Sequence, residues 1–95
     1  MMNHRLKDPA TENRNQAFRF KLGAIIRRER TNARLSRRVL CERVGLAETS
    51  LCRIEDGTMT PNIVLVMDLL WEIDAPQSAC LELFQADAEL RRAAA

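Results

Sequence analysis

Arginine carries most of the chemistry available to this chain of 95 residues. Nine basic and only two acidic residues lie between Arg19 and Arg43, a local surplus of seven. From Val44 to Ala95 the balance reverses, with three basic and nine acidic residues, so the formal net charge of +2 hides a division. A guanidinium is a permanent cation whose planar fork of donors matches phosphate oxygens and the guanine edge. A basic half joined to an acidic half predicts one surface that attracts a polyanion and one that does not. Other reactive groups are sparse. His4 is the only histidine, and no serine, histidine and acid are arranged as a nucleophilic triad. Cys41, Cys52 and Cys80 are odd in number and show neither CxxC nor zinc-site spacing. Glu82, Asp87 and Glu89 read as the wet face of a helix rather than as metal ligands, and no phosphate-cradling glycine string occurs. These features predict a protein that is not an enzyme, needs no metal or cofactor, and works in a reducing, cytoplasmic compartment. No apolar leader precedes the polar start, and the longest apolar run, Ile63 to Met67, is far too short to cross a membrane.

The elements that must position these arginines are helical. Hydrophobic residues make up 46% of the chain, yet only Phe18, Phe20, Phe84 and Trp71 are aromatic, so the predicted core is aliphatic. Residues 1–17 lack a hydrophobic pattern and are expected to form a flexible arm. Leu22, Ile25 and Ile26 then recur at helical spacing until a break at Asn32 to Arg34. Ser36 is a good N-cap for a short helix from Arg37, which Gly45 ends. A second short helix, Glu48 to Glu55, turns Leu51 and Ile54 inward. Turn signals at Asp56-Gly57 and Thr60-Pro61-Asn62 precede a helix from Ile63 to Ile73. That helix is apolar on most faces and is expected to be buried all round. Asp74-Ala75-Pro76 breaks it, and a last helix runs from Gln77 to about Ala93, with one flank expected to cover helices one and four. No stretch alternates at period two. The reading is all-α, with five helices and no sheet.

Two short helices meeting across a glycine turn have the form of a helix-turn-helix. The string from Leu22 to Ile73 resembles the Cro/C1-type family of DNA-binding domains, also called phage repressor-like or XRE-like. Leu22-Gly23, Ile26-Arg27 and Arg30 stand in the order of that family's first helix. Leu35-Ser36, Leu40-Cys41 and Val44-Gly45 fit its second, with cysteine for the usual alanine. Arg53-Ile54-Glu55-Asp56-Gly57 and then Thr60-Pro61 fit the end of its third. The resemblance implies a helix-turn-helix domain over residues 18–74; the C-terminal helix over residues 75–95 lies outside it and is expected to serve dimerisation, because its apolar side chains occupy more than one flank.

It also implies roles. Glu48, Thr49, Cys52 and Arg53 would face base edges, because the second helix of the pair fits the major groove. Arg53 can offer two donors to guanine, Thr49 can meet either base type, and Glu48 can only accept. Arg27, Ser36, Arg37, Arg38, Arg43 and Thr58 would meet phosphates. Arg37 stands where the family often has a phosphate-anchoring glutamine. Arg30 and Glu55 would form an internal ion pair. Ala47 departs from the usual serine or threonine cap, and Val39 from the usual capping-box glutamate.

The expected function is sequence-specific regulation of transcription, by default repression, through double-stranded DNA. One unit reads only a few base pairs, so a homodimer on a palindromic operator is expected. Trp71, Leu81 and Phe84 are its expected contact. The alternative is an antitoxin-like or other protein-interaction module that keeps the fold, with a partner such as a toxin. RNA binding would need stacking aromatics, in which this chain is poor.

Overall fold

Asp8 opens the chain's first helix. Its side chain accepts a hydrogen bond from the backbone N–H of Thr11 at 2.8 Å, and Pro9 takes the first helical position, where a missing N–H costs nothing. The computed structural model describes residues 8–94, and α1 runs from Pro9 to Asn32. The helix thus begins well before the expected start near residue 17. Residues 9–17 are helical although apolar periodicity is missing, because a cap, a proline and Glu12 in the first turn supply what packing does not. Thr11, Glu12 and Arg14 are already partly covered. The remainder of the expected arm, residues 1–7 with His4, lies outside the described residues.

Four more helices follow: α2 from Arg37 to Val44, α3 from Glu48 to Asp56, α4 from Ile63 to Ile73 and α5 from Gln77 to Ala94. No strand occurs among the described residues. Ser36 caps α2 by accepting from the N–H of Val39, and Asn62 caps α4 by accepting from that of Leu65. Gly45 and Gly57 end α2 and α3 with φ of 72° and 79°, a region closed to most residues with a Cβ. Ala47 starts α3 without any side-chain cap.

The core is the predicted aliphatic one. Ile26, Leu40, Leu51, Ile54 and Leu69 are its most completely buried large side chains, joined by Leu22, Ile25, Val66, Leu70, Ile73 and Leu83. Cys41 packs in it as a small apolar filler, and burial pushes its thiol up. At Gly23, α1 passes directly over the last turn of α3: a Cβ there would stand 2.6 Å from the carbonyl oxygen of Glu55 and closer still to that of Ile54.

Two expectations about the second half are corrected. Helix α4 is not buried all round. Val66, Leu69, Leu70 and Ile73 face the core, while Ile63, Val64, Met67 and Trp71 are exposed. With only five helices there is no layer left to cover its far side. Helix α5 packs closely along α1 and reaches the core beside α4 only through side chains such as Ala79 and Leu83. A groove of about 310 Å³ opens between α4 and α5, lined by Phe18, Leu22, Ile63, Met67 and Phe84 among others.

Candidate nucleic-acid interface

Helices α2 and α3 are joined by three residues, Gly45 to Ala47, and pack on the core through Leu40, Cys41, Leu51 and Ile54. The chain reverses tightly there because the N–H groups of Gly45 and Leu46 both return to the carbonyl of Cys41, at 2.9 and 3.0 Å. With Leu51, Ile54 and Glu55 turned inward, the opposite side of α3 presents Glu48, Thr49 and Arg53 to solvent, with Cys52 half-buried beside them. The four residues expected to read bases therefore lie on one short helix, three of them exposed.

The end of α3 is held by an unusual concentration of charge. Glu55 is only 5% exposed, and three guanidinium groups surround it. Arg30 donates from Nε at 2.6 Å and from Nη2 at 3.1 Å, and its Nη1 reaches the carbonyl of Leu35 at 2.9 Å. Arg37 donates from Nε at 3.0 Å. Arg27 lies at 3.7 Å and bridges onward to Asp56 at 3.9 Å. Burial alone would raise the Glu55 carboxyl, but the hydrogen bonds from Arg30 and Arg37 outweigh it and hold the carboxyl below the usual range. The same bond to Glu55 raises Arg37. The expected Arg30–Glu55 pair is thus present within a larger cluster. Arg37, expected at a phosphate, has its Nε committed to Glu55, and its side chain is half-buried.

The other expected phosphate residues lie around this cluster. Arg38 is exposed and paired with Glu42 one turn on, at 2.8 Å, a contact water weakens. Arg43 is exposed and makes no ion pair among the described residues. Ser36 Oγ already serves Val39 N, so what it can add is the unpaired N–H groups of the first turn of α2. Thr58 is exposed, with its Oγ1 donating to the carbonyl of Arg53 at 3.3 Å. The result is a cationic rim on α2 and the end of α1 beside the exposed side of α3.

The residues expected in a dimer contact lie elsewhere. Trp71 on α4 is 82% exposed, and Leu81 and Phe84 on α5 are 59% and 73% exposed. Phe84 lines the groove between the two helices; Trp71 and Leu81 do not. Sequence reasoning missed the role of Arg28. It forms a two-pronged pair with Glu82 at 2.8 and 2.9 Å and also meets Glu29, tying α1 to α5, and these bonds raise it. Fifty-four positions separate Arg28 from Glu82, so no local pattern could have signalled the contact.

No protein-family model, curated protein or solved structure matches this chain. The described residues form a small all-α domain of five helices, and no helix among them is long and apolar enough to cross a membrane. They hold no group of histidine, cysteine and acidic side chains arranged for a metal ion.

Proposed function

We propose that this protein is a Cro/C1-type helix-turn-helix regulator that binds double-stranded DNA through α3. One observation carries the reading: Glu48, Thr49 and Arg53 are exposed together on the first helix after a tight turn, beside the arginine surplus of α1 and α2. A helix of this kind fits the major groove, and a cationic rim on the preceding helix meets the flanking phosphates. Arg53 can pair with guanine, Thr49 can meet either base type or a thymine methyl, and Glu48 can accept from the cytosine amino group. A homodimer doubles the number of bases read and predicts a palindromic operator, with repression by occlusion of a promoter as the outcome. Leu81 and Phe84 are its contact residues on α5. The site is non-catalytic and needs no cofactor.

Selection from random DNA followed by fluorescence anisotropy tests this reading. The expected result is a palindrome whose affinity falls steeply with salt. Arg53→Ala should remove preference at one position per half-site, at about 1–3 kcal/mol. No enrichment, together with salt-independent binding, defeats it. Sedimentation equilibrium should give twice the chain mass. A second reading, a protein-interaction module with the same fold, is favoured by the exposed apolar side chains of α4.

A further inference from the structure

The exposed side of α4 is unlike that of α5. Val64, Met67 and Trp71 recur at helical spacing along it, and Val64 and Trp71 are 65% and 82% exposed. A contiguous apolar stripe of this kind, rimmed by polar groups, marks an interaction site. Asp68, Glu72 and Asp74 flank the stripe, and none of them forms an ion pair among the described residues. No lysine or arginine occurs anywhere from Ile54 to Leu90. On α5 the acidic groups nearest Leu81 and Phe84 are already neutralised, Glu82 by Arg28 and Asp87 by Arg91 at 2.8 Å. The α5 side can therefore meet a copy of itself without opposing bare charges. On the α4 side a two-fold contact would bring the unpaired Asp68, Glu72 and Asp74 of both copies together, which disfavours a copy there.

We infer that the Val64–Met67–Trp71 stripe of α4 docks a basic amphipathic helix of another protein, with apolar anchors on the stripe and lysine or arginine beside Asp68, Glu72 and Asp74. Trp71 supplies the large, rigid apolar contact that such interfaces concentrate their energy on. The three carboxylates supply selectivity and attraction at long range. The partner is recognised as an apolar helical face framed by cations. This assignment moves Trp71 from the expected dimer contact to the α4 stripe and leaves Leu81 on α5 for the copy, with Phe84 in the groove that Met67 also borders. It does not rest on DNA binding, since α3 takes no part.

Trp71 is the sole tryptophan, so its emission reports directly on the stripe. The probe is a labelled synthetic helix of leucine and lysine with one apolar face, compared with the same peptide carrying glutamate for lysine and with a scrambled lysine–leucine peptide. The lysine helix should shift Trp71 emission to the blue and bind at least tenfold more tightly than either control. The double variant Asp68→Asn, Glu72→Gln should bind it at least fivefold more weakly, with unchanged far-ultraviolet circular dichroism and unchanged DNA affinity. Trp71→Ala, read from the peptide label, should weaken it likewise. Equal binding of the lysine and glutamate helices, or undiminished binding by the double variant, overturns the proposal. So does a blue shift of Trp71 that appears on raising protein concentration alone, which would place a second copy on the stripe. Loss of DNA binding by the wild type with peptide binding intact would remove only the regulator reading.

Discussion

Arg37 and Glu55 are joined from the first turn of α2 to the last turn of α3, Nε to Oε1 at 3.0 Å, on a carboxylate that Arg30 also grips with two hydrogen bonds. The helical pair is thereby pinned through one buried charge. Such a cluster fixes geometry more than it adds net stability, because desolvation offsets much of the attraction. Removing its one buried anion, however, leaves Arg30 and Arg37 without a carboxylate and Arg27 with only the exposed Asp56.

Glu55→Gln should therefore destabilise the fold by about 3–5 kcal/mol in urea titrations near neutral pH. The pH dependence has a definite sign. The folded carboxyl lies below its unfolded value, so its contribution is complete above the unfolded value, about pH 4.3, and drains away as pH falls through the lower folded value. The wild type should lose stability across that acid window. The variant should lack that component of the slope.

Gly23→Ala tests how closely α1 and α3 must approach. The added methyl would meet backbone carbonyls of Ile54 and Glu55, which cannot swing aside as a side chain does. A loss of at least about 1–3 kcal/mol is expected from thermal or urea unfolding. DNA affinity should fall with it, because the end of α3 is displaced. Gly45→Ala has open space around its Cβ, and its cost should arise only from the positive φ.

Arg43 and Arg37 should separate on DNA. Arg43 is exposed and unpaired among the described residues, so Arg43→Ala should weaken operator and random DNA alike, lower the salt slope by about one, and leave stability within about 0.5 kcal/mol. Arg37→Ala should reduce stability as well, because its Nε bond to Glu55 is lost. Anisotropy across a salt series and a urea titration on each variant read the two effects.

Ala47→Ser should stabilise the protein by about 1 kcal/mol, since α3 lacks a side-chain acceptor at its N-cap and the backbone there is already in the extended conformation a cap requires. Thermal unfolding of the variant beside the wild type checks this. An unchanged midpoint would mean that the first-turn N–H groups of α3 are already well solvated.

Much of the architecture was legible in the residues because its signals are local. Ser36, Gly45, Asn62 and Gly57 punctuate the chain through hydrogen bonds and φ values within one turn of each residue, so α2, α3 and α4 lie where their caps predict. The apolar periodicity of Leu22, Ile25, Ile26, Leu51 and Ile54 likewise selects the core, since burial follows the helix repeat. The same logic failed at residues 9–17, where a cap and a proline start a helix that no apolar pattern announces. Tertiary structure decided the rest. The Arg30–Glu55 pair was expected from the resemblance, but only the packing of α1 and α2 against α3 adds Arg27 and Arg37 to the same carboxylate. Only the tertiary packing leaves Val64, Met67 and Trp71 of an apolar helix exposed to water. Sequence records how apolar a helix is, while which of its sides is covered depends on how many neighbours the fold can supply.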